Sequence, residues 1–282
     1  MSYQSVYVYL GGSADATSRI ELAVQVAQLN NAKLVGISLR ELAQPAIRPA
    51  ASQGHDNIAV VESPPAKEFG ATQAALEQFE AIALKSGLKR YEIYYCEPDK
   101  MTDTFGSCAT PGNLLVLGPD MNVAASQSDN LDLLEYLILN SNSSVLVVPE
   151  IWSASLGVEN VLIAWDGSAA AYRSLQDALP FLSQAKRVVL ATVDTKAARR
   201  ISPLHSEVTA IAFLSQHYIT PKIELLHSDL EPGRALLELA TATPSCLVVM
   251  GCVAHPHWKA VLLGGTTRVM LASCTVPICM HR

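Results

Sequence analysis

The sequence contains few aromatic and few charged residues. Of its 282 residues, 6% are aromatic and 16% are charged, whereas 50% are hydrophobic. With so few rings, the interior is expected to consist of Leu, Val, Ala and Ile, and the length suffices for one large core or two ordinary ones. A basic excess is also lacking, because the net charge is -6. A nucleic-acid partner is therefore not expected, since phosphate binding requires a basic face.

Signals for targeting and membrane insertion are missing too. The first residues, MSYQS, contain no basic segment followed by an apolar signal core, and no apolar run reaches membrane-spanning length. Six cysteines are scattered without a CxxC pair, which is typical of buried thiols in a reducing compartment. We therefore expect a cytoplasmic protein with free cysteines and no membrane partner.

The sequence does contain an internal repeat. Residues 161–168 (VLIAWDGS), a helical stretch and residues 187–193 (RVVLATV) are echoed by residues 6–13 (VYVYLGGS), another helical stretch and residues 34–39 (LVGISL). Later apolar segments keep the same order in both halves, which gives five predicted strands per half. Such strands, apolar on both faces and alternating with helices, predict a parallel sheet covered by helices. The sequence thus predicts an α/β protein of two tandem, doubly wound domains, spanning residues 1–150 and 157–282.

Two details describe how the halves are arranged. The first copy is longer, mostly between Leu39 and Gly70, where four prolines predict a loop. The join near residues 149–158 is short, and a short linker favours a pseudo-twofold pair inside one chain. The fifth strands, at residues 145–148 and 278–280, are expected to form the internal seam and so to bury two sheet edges.

The second copy has two candidate ligand segments. Ligands of doubly wound sheets bind beyond the carboxyl ends of the strands, where Asp166-Gly167-Ser168 follows the first strand. The aspartate could accept hydrogen bonds from a ribose or base, although the same triplet is ordinary turn and helix-capping chemistry. Further along, Gly264, Gly265, Thr266 and Thr267 open a helix. Such a glycine turn outlines a phosphate cradle, or is only a helix cap.

The equivalent positions of the first copy have lost these residues. Gly11 stands where the second copy has its aspartate, no glycine pair precedes the last helix, and Asp120, Asp129 and Asp132 would repel phosphate. We therefore predict that any nucleotide site is in the second domain.

Three other groups of residues are interpreted as structural and not as functional sites. Cys252, His255 and His257 are predicted to be loop residues rather than a metal site, since a structural metal normally requires four ligands. Ser168 has no nucleophile-elbow sequence around it and no assignable base, so a hydrolase is not expected. Arg199-Arg200 is interpreted as a solvated turn, with a small anion contact as the alternative.

The second copy resembles the universal stress protein family. The resemblance lies in residues 161–168, in residues 247–251 (LVVMG), in the turn at 263–266 (LGGT) and in residues 275–279 (TVPIC). It implies a five-stranded parallel sheet in the order 3-2-1-4-5, domain pairing through the fifth strands, and, in members that keep the site, ATP bound between the first and fourth strands.

The family's ATP signature is glycine, two residues, glycine, nine residues, glycine and a hydroxyl residue. Gly251 and Gly264 fit, whereas Ala254 and Gly265 stand in place of the second glycine and the hydroxyl residue. By the same resemblance, Asp166 matches an aspartate near the ribose or base, and Val193 could offer backbone contacts to adenine. The predicted site for ATP or another adenine nucleotide comprises Asp166, Val193, Gly251, Gly264, Gly265, Thr266 and Thr267.

The functional hypothesis is a non-enzymatic, cytoplasmic stress-response regulator in which a nucleotide changes the surface offered to a protein partner. Slow incidental ATP hydrolysis and a homodimer stay open. The alternative is an interaction scaffold that binds no nucleotide.

Overall fold

The computed structural model describes most of both repeats. The described residues are 2–11, 16–39, 66–97, 100–119, 133–149, 152, 159–194, 207–242, 247–252, 254–257 and 260–282, with the backbone alone described at residues 66–71, 254–257 and 260–262. Arg199-Arg200 and the three aspartates expected to repel phosphate in the first copy lie outside them. No described helix is long and apolar enough to cross a membrane.

The first half supplies five strands and four helices within the described residues. These are β1 (Ser5–Tyr9), α1 (Thr17–Asn30), β2 (Lys33–Leu39), α2 (Ala66–Lys85), β3 (Tyr91–Cys96), α3 (Met101–Cys108), β4 (Asn113–Leu117), α4 (Leu133–Asn140) and β5 (Ser144–Val147).

The second half repeats this order and adds a β-hairpin. Its described elements are β6 (Asn160–Ala164), α5 (Ala169–Asp177), α6 (Leu179–Leu182), β7 (Arg187–Val193), α7 (Glu207–Gln216), β8 (Lys222–Leu226), α8 (Pro232–Ala242), β9 (Leu247–Gly251), β10 (Ala254–His257), β11 (Ala260–Leu263), α9 (Gly265–Ser273) and β12 (Ile278–His281). Strands β10 and β11 form the antiparallel hairpin, which precedes α9.

The ten strands outside the hairpin form one continuous sheet. Its order is β3-β2-β1-β4-β5-β12-β9-β6-β7-β8, so each half has the predicted order 3-2-1-4-5. Within a half all neighbouring strands are parallel, whereas β5 and β12 pair antiparallel. The predicted α/β fold, the pairing of the halves as a pseudo-dimer and the seam through the fifth strands are confirmed.

The seam is pseudo-symmetric. Leu146 lies opposite Cys279 in the β5–β12 register, and these two residues are equivalent positions of the two repeats. They therefore mark the pseudo-twofold axis. Both are fully buried, so the seam belongs to the interior of the protein.

Side chains from both halves also meet in a polar cluster beside the seam. The Asp177 carboxylate accepts a hydrogen bond from the Ser144 hydroxyl at 2.9 Å and lies 2.7 Å from Nδ1 of His281. The Tyr3 hydroxyl donates to the Asp177 carbonyl at 2.7 Å. Burial raises the pKa of Tyr3 well above its usual value, with smaller contributions from Cys279 and Asp177. The end of α5 thus binds both the N-terminal segment and β5 of the first domain.

One buried apolar layer lies on each face of the sheet, and both layers cross the seam. One layer contains Val6 and Ile20 together with Val161 and Leu175 of the second half. The other contains Leu117 and Leu137 together with Leu162 and Met270. As the sequence predicts, aliphatic residues dominate these layers, and the five described cysteines, Cys96, Cys108, Cys252, Cys274 and Cys279, are free thiols.

The structure differs from the sequence interpretation in three elements. Helix α2 begins at residue 66, so the end of the predicted loop between Leu39 and Gly70 is helical. Helix α3 and the β10–β11 hairpin were not predicted. Helix α3 is only eight residues long and contains Gly106, and glycine weakens a helix pattern in the sequence. The hairpin contains Pro256, and proline weakens a strand pattern.

Candidate functional site

The carboxyl end of β6 is a turn followed by a capped helix. The Ser168 amide donates to Oδ1 of Asp166 at 2.9 Å, and Gly167 has a φ of +74°, which favours glycine. The Ser168 hydroxyl then accepts from the Ala171 amide at 3.0 Å, which caps α5. Asp166 is exposed and uses only Oδ1 in this turn, so Oδ2 can accept a hydrogen bond from a ligand.

Gly251 is a glycine because a helix backbone approaches it. It ends β9, which lies beside β6, and a Cβ at this position would stand 2.4 Å from the Ala171 nitrogen and 2.8 Å from its Cα. The Ser174 hydroxyl donates to the Met250 carbonyl at 2.7 Å and accepts from the His281 amide at 2.8 Å, which fixes α5 against β9 and β12. Packing therefore explains the first glycine of the signature without a ligand.

Gly264 and Gly265 form the N-terminus of α9. Gly264 is the N-cap with no side-chain capping bond, and its carbonyl accepts from the Arg268 amide at 3.1 Å. Gly265 is exposed, and a Cβ placed there would meet no atom within 4 Å. The first amides of a helix have no acceptor in the helix itself and lie at the positive end of its dipole. Packing does not require a glycine at 265, and its position suits an approaching anion.

The two threonines of this turn contact the rest of the protein. Thr266 lies against α8, where a Cβ on Gly233 would stand 3.1 Å from the Thr266 Cα. Thr267 is buried, and its side chain hydrogen-bonds to the thiol of Cys252, which is also buried. Burial raises the pKa of Cys252 to about 11, although the bond with Thr267 and the charge of Arg282 act in the opposite direction. These contacts position the start of α9 on the sheet.

The remaining predicted residue, Val193, ends β7 next to β6. It is half-buried and packs on the layer that contains Ala164 and Met250. The parallel order therefore places the ends of β7, β6 and β9 side by side, with Val193, Asp166 and Gly251 at the same edge of the sheet. Asp166 and Gly265 are exposed there, whereas Gly251 and Thr267 are already in contact with other parts of the protein. The assignment of all seven residues to a ligand stays a prediction.

The same edge of the first domain is filled by its own side chains. Tyr9 ends β1, where the second repeat has Ala164, and its ring is 1% exposed. It packs edge-on to Phe105 with ring centroids 6.0 Å apart, and the Arg19 guanidinium lies 5.8 Å from its centroid. Arg19, also buried, donates to the Gly11 carbonyl at 2.9 Å. The sequence interpretation missed Tyr9, although aligning the repeats places it opposite alanine.

The first domain also contacts the start of α9. Arg268, in the first turns of α9, forms an ion pair with Glu135 of α4, with 3.8 Å between Nε and Oε1. Nearby, Arg282 donates to the Leu139 carbonyl at 2.5 Å. Neither Glu135 nor Arg268 was predicted as a site residue, because their proximity arises from the pairing of the domains.

Metal ligands do not cluster in the part of the chain that the structure describes. Among those residues, no three His, Cys, Asp or Glu side chains are grouped so that they could hold a metal ion. Cys252 hydrogen-bonds to Thr267. His255 and His257 lie on strand β10 and not in the predicted loop, and their side chains lie outside the described residues.

Comparison with solved structures identifies the architecture. A universal stress protein from Archaeoglobus fulgidus DSM 4304 is similar over 98% of this chain and 98% of that chain, with a TM-score of 0.63 and 12% sequence identity. This chain has the tandem universal stress protein fold. The fold implied by the sequence resemblance is thereby confirmed.

Two further solved structures are similar to this chain in architecture. A functionally unknown protein from Pseudomonas aeruginosa PAO1 is similar over 98% of this chain and 92% of its own, with a TM-score of 0.57 and 13% identity. The cytoplasmic domain of a prokaryotic cation chloride cotransporter is similar over 100% and 96%, with a TM-score of 0.50 and 11% identity. No protein-family model and no curated protein matches the sequence. Because a transporter domain shares the fold, function has to be argued from the site.

Proposed function

We propose that the second domain binds an adenine nucleotide at the edge formed by β6, β7, β9 and the start of α9, and that the first domain supports it without binding. The observation behind this proposal is the contrast between the repeats. The ring of Tyr9 and the guanidinium of Arg19 fill the end of β1, whereas the second domain has Ala164 and an exposed Gly265.

The exposed groups match the chemistry of a nucleotide. The helix start at Gly265 provides amides and a positive dipole end for a phosphate. Oδ2 of Asp166 provides an acceptor for a ribose hydroxyl. Val193 places an apolar side chain and the end of β7 beside them, as adenine requires.

The proposed regulatory role is supported by the contact between the domains. Arg268 lies in α9, whose start is the proposed phosphate cradle, and pairs with Glu135 of the first domain. A phosphate at the cradle would compete with Glu135 for this arginine and so alter the surface beside the seam. We propose a stress-response regulator whose ligand changes a partner surface, without catalysis.

Calorimetry with ATP, ADP, AMP and adenosine tests the site. Gly265→Asp adds a carboxylate where there is room and where the helix dipole favours it, so the fold should be kept while phosphate is repelled. We expect Gly265→Asp to weaken ATP binding at least about tenfold, which corresponds to about 1.4 kcal/mol of binding free energy. Adenosine, which has no phosphate, should lose much less affinity. Gly265→Ala is the matched neutral control and should bind like the wild type. The proposal is refuted if no adenine compound binds at millimolar concentration, or if Gly265→Asp binds ATP normally.

The alternative scaffold function is favoured by a different observation. Asp166 and Ser168 already form a turn and cap, Gly251 is required by α5, and Thr267 bonds to Cys252. A scaffold would show no adenine-compound binding in the same calorimetry, and Asp166→Ala would leave partner capture from lysate unchanged.

A further inference from the structure

Strand β3 forms one outer edge of the ten-stranded sheet. Among the described strands it pairs with β2 alone. Tyr94 and Tyr95 are 51% and 42% exposed, so this edge presents two large aromatic side chains to solvent. Edge strands that are both apolar and unpaired are ready to hydrogen-bond with another strand.

The pairing with β2 determines which backbone groups of β3 point outward. The Arg90 carbonyl accepts from the Leu34 amide at 3.0 Å. Backbone groups alternate in direction along a strand, so those of Glu92, Tyr94 and Cys96 also point toward β2. The amides and carbonyls of Tyr91, Ile93 and Tyr95 consequently point away from the sheet.

One antiparallel register satisfies all three outward residues at once. It places Ile93 opposite Ile93 of a second copy, and Tyr91 opposite Tyr95 at both ends, which gives a row of apolar cross-strand pairs on one face. The other face pairs Glu92 with Tyr94. Beyond the strand, Lys89 of each copy comes opposite Glu97 of the other. A parallel arrangement would instead bring like charges together.

The other outer edge, β8, is less complementary to a second copy in the register that pairs its two outward residues. The Leu226 carbonyl accepts from the Asp194 amide, so Ile223 and Leu225 have the outward backbone groups. Their side chains are 53% and 51% exposed, and β8 is therefore as apolar as β3. However, the twofold register that pairs these two residues places Glu224 opposite its own copy, and like charges opposite each other destabilise a pair of strands.

We propose that β3 is a homodimer interface, at which a second copy of this chain pairs antiparallel about a twofold axis through Ile93. The edges of β5 and β12 already pair with each other inside the chain, so β3 provides a different edge for assembly. Pairing two copies there extends one sheet across four universal-stress-protein-like domains.

Sedimentation of the full chain from about 1 to about 200 µM tests the proposal, since an interface this small dissociates in that range. Lys89→Glu should weaken the dimer about tenfold, because it reverses two cross-strand charge pairs. The double variant Lys89→Glu/Glu97→Lys should restore wild-type association. Leu225→Lys on β8 is the control at the other edge and should leave association unchanged.

Cross-linking locates the axis independently of affinity. In a hydrogen-bonded antiparallel pair the opposing Cα atoms lie about 5.5 Å apart, within the range for a disulfide. Ile93→Cys should therefore form a disulfide-linked dimer under mild oxidation, and Leu225→Cys should not. The proposal is overturned if the wild type stays monomeric throughout the concentration range. It is equally overturned if the double variant fails to restore a weakened dimer, or if cysteine at 225 cross-links in preference to cysteine at 93.

Discussion

Replacing Gly251 by alanine tests whether this glycine serves packing. The added Cβ would stand 2.4 Å from the Ala171 nitrogen, whereas ordinary contact begins near 3.4 Å, so α5 would have to retreat by about 1 Å. Ser174 opposes that movement, because its hydroxyl bonds to the Met250 carbonyl and the His281 amide. The clash is with backbone, which cannot rotate away as a side chain can.

The expected cost is near the upper end for overpacking, about 3 kcal/mol. At about 2–4 °C per kcal/mol for a cooperative unit of this size, Gly251→Ala should lower the melting temperature by about 6–12 °C. Differential scanning calorimetry of the full chain measures this shift. Gly265→Ala is the matched control, because its Cβ meets nothing within 4 Å and alanine is the better helix former, so the melting temperature should be equal or slightly higher.

Together the two variants distinguish a glycine that packing requires from a glycine that packing does not require. If Gly251→Ala melts within a degree of the wild type, α5 does not constrain this position and the packing explanation is refuted. If Gly265→Ala is destabilised as strongly, the start of α9 is packed more tightly than its open surroundings indicate.

Three further predictions concern the packing around the site and the seam. Gly233→Ala should destabilise by about 1–3 kcal/mol in urea unfolding, since its Cβ would stand 2.9 Å from the Val269 Cβ and separate α8 from α9; an unchanged midpoint would contradict this packing. Ser144→Ala should cost about 1 kcal/mol, because it removes the bond to Asp177, and Ser183→Ala, whose hydroxyl bonds locally to Pro180, should cost less. Burial raises the pKa of Cys252 to about 11 and of Cys279 to about 12, above the value of about 8.5 for an unfolded thiol. As the pH rises, the unfolded state therefore loses the two thiol protons before the folded state does. The protonated thiols contribute fully to stability below a pH of about 8.5, and this contribution is lost as the pH rises through 11 and 12. Urea unfolding measured from pH 8 to 11 should show the free energy of unfolding falling as the pH rises. Cys252→Ala should make this fall less steep, and an equally steep fall would refute the assignment of the effect to Cys252.

Much of the fold could be predicted from local patterns. The sequence predicts strand β3 with the bounds that the structure has, and it predicts the seam between β5 and β12. Runs such as residues 247–250 are apolar on both faces, which identifies buried parallel strands. Helix α3 was missed because it is short and contains a glycine, and it is held by packing of Met101 and Phe105 rather than by strong local preference.

The candidate site was predictable only in part. The residue types at Asp166 and Gly265 suggested ligand chemistry, but their signal was shared with turns and helix caps. Tertiary contacts separated the two cases: Gly251 is explained by the approach of α5, whereas Gly265 has open space around it. Sequence patterns could not distinguish these glycines, because the distance between a strand end and a helix backbone depends on how the whole sheet packs.

The sequence by itself determined that this protein is a duplicated α/β unit whose copies differ at their strand ends. Hydrophobic periodicity and repeat spacing are local properties, so they persist in the linear chain. Only the tertiary structure decided that Tyr9 fills the end of β1 and that Glu135 meets Arg268 across the domains. These features depend on contacts between residues far apart in the chain, and such contacts exist only once both copies pack around one sheet.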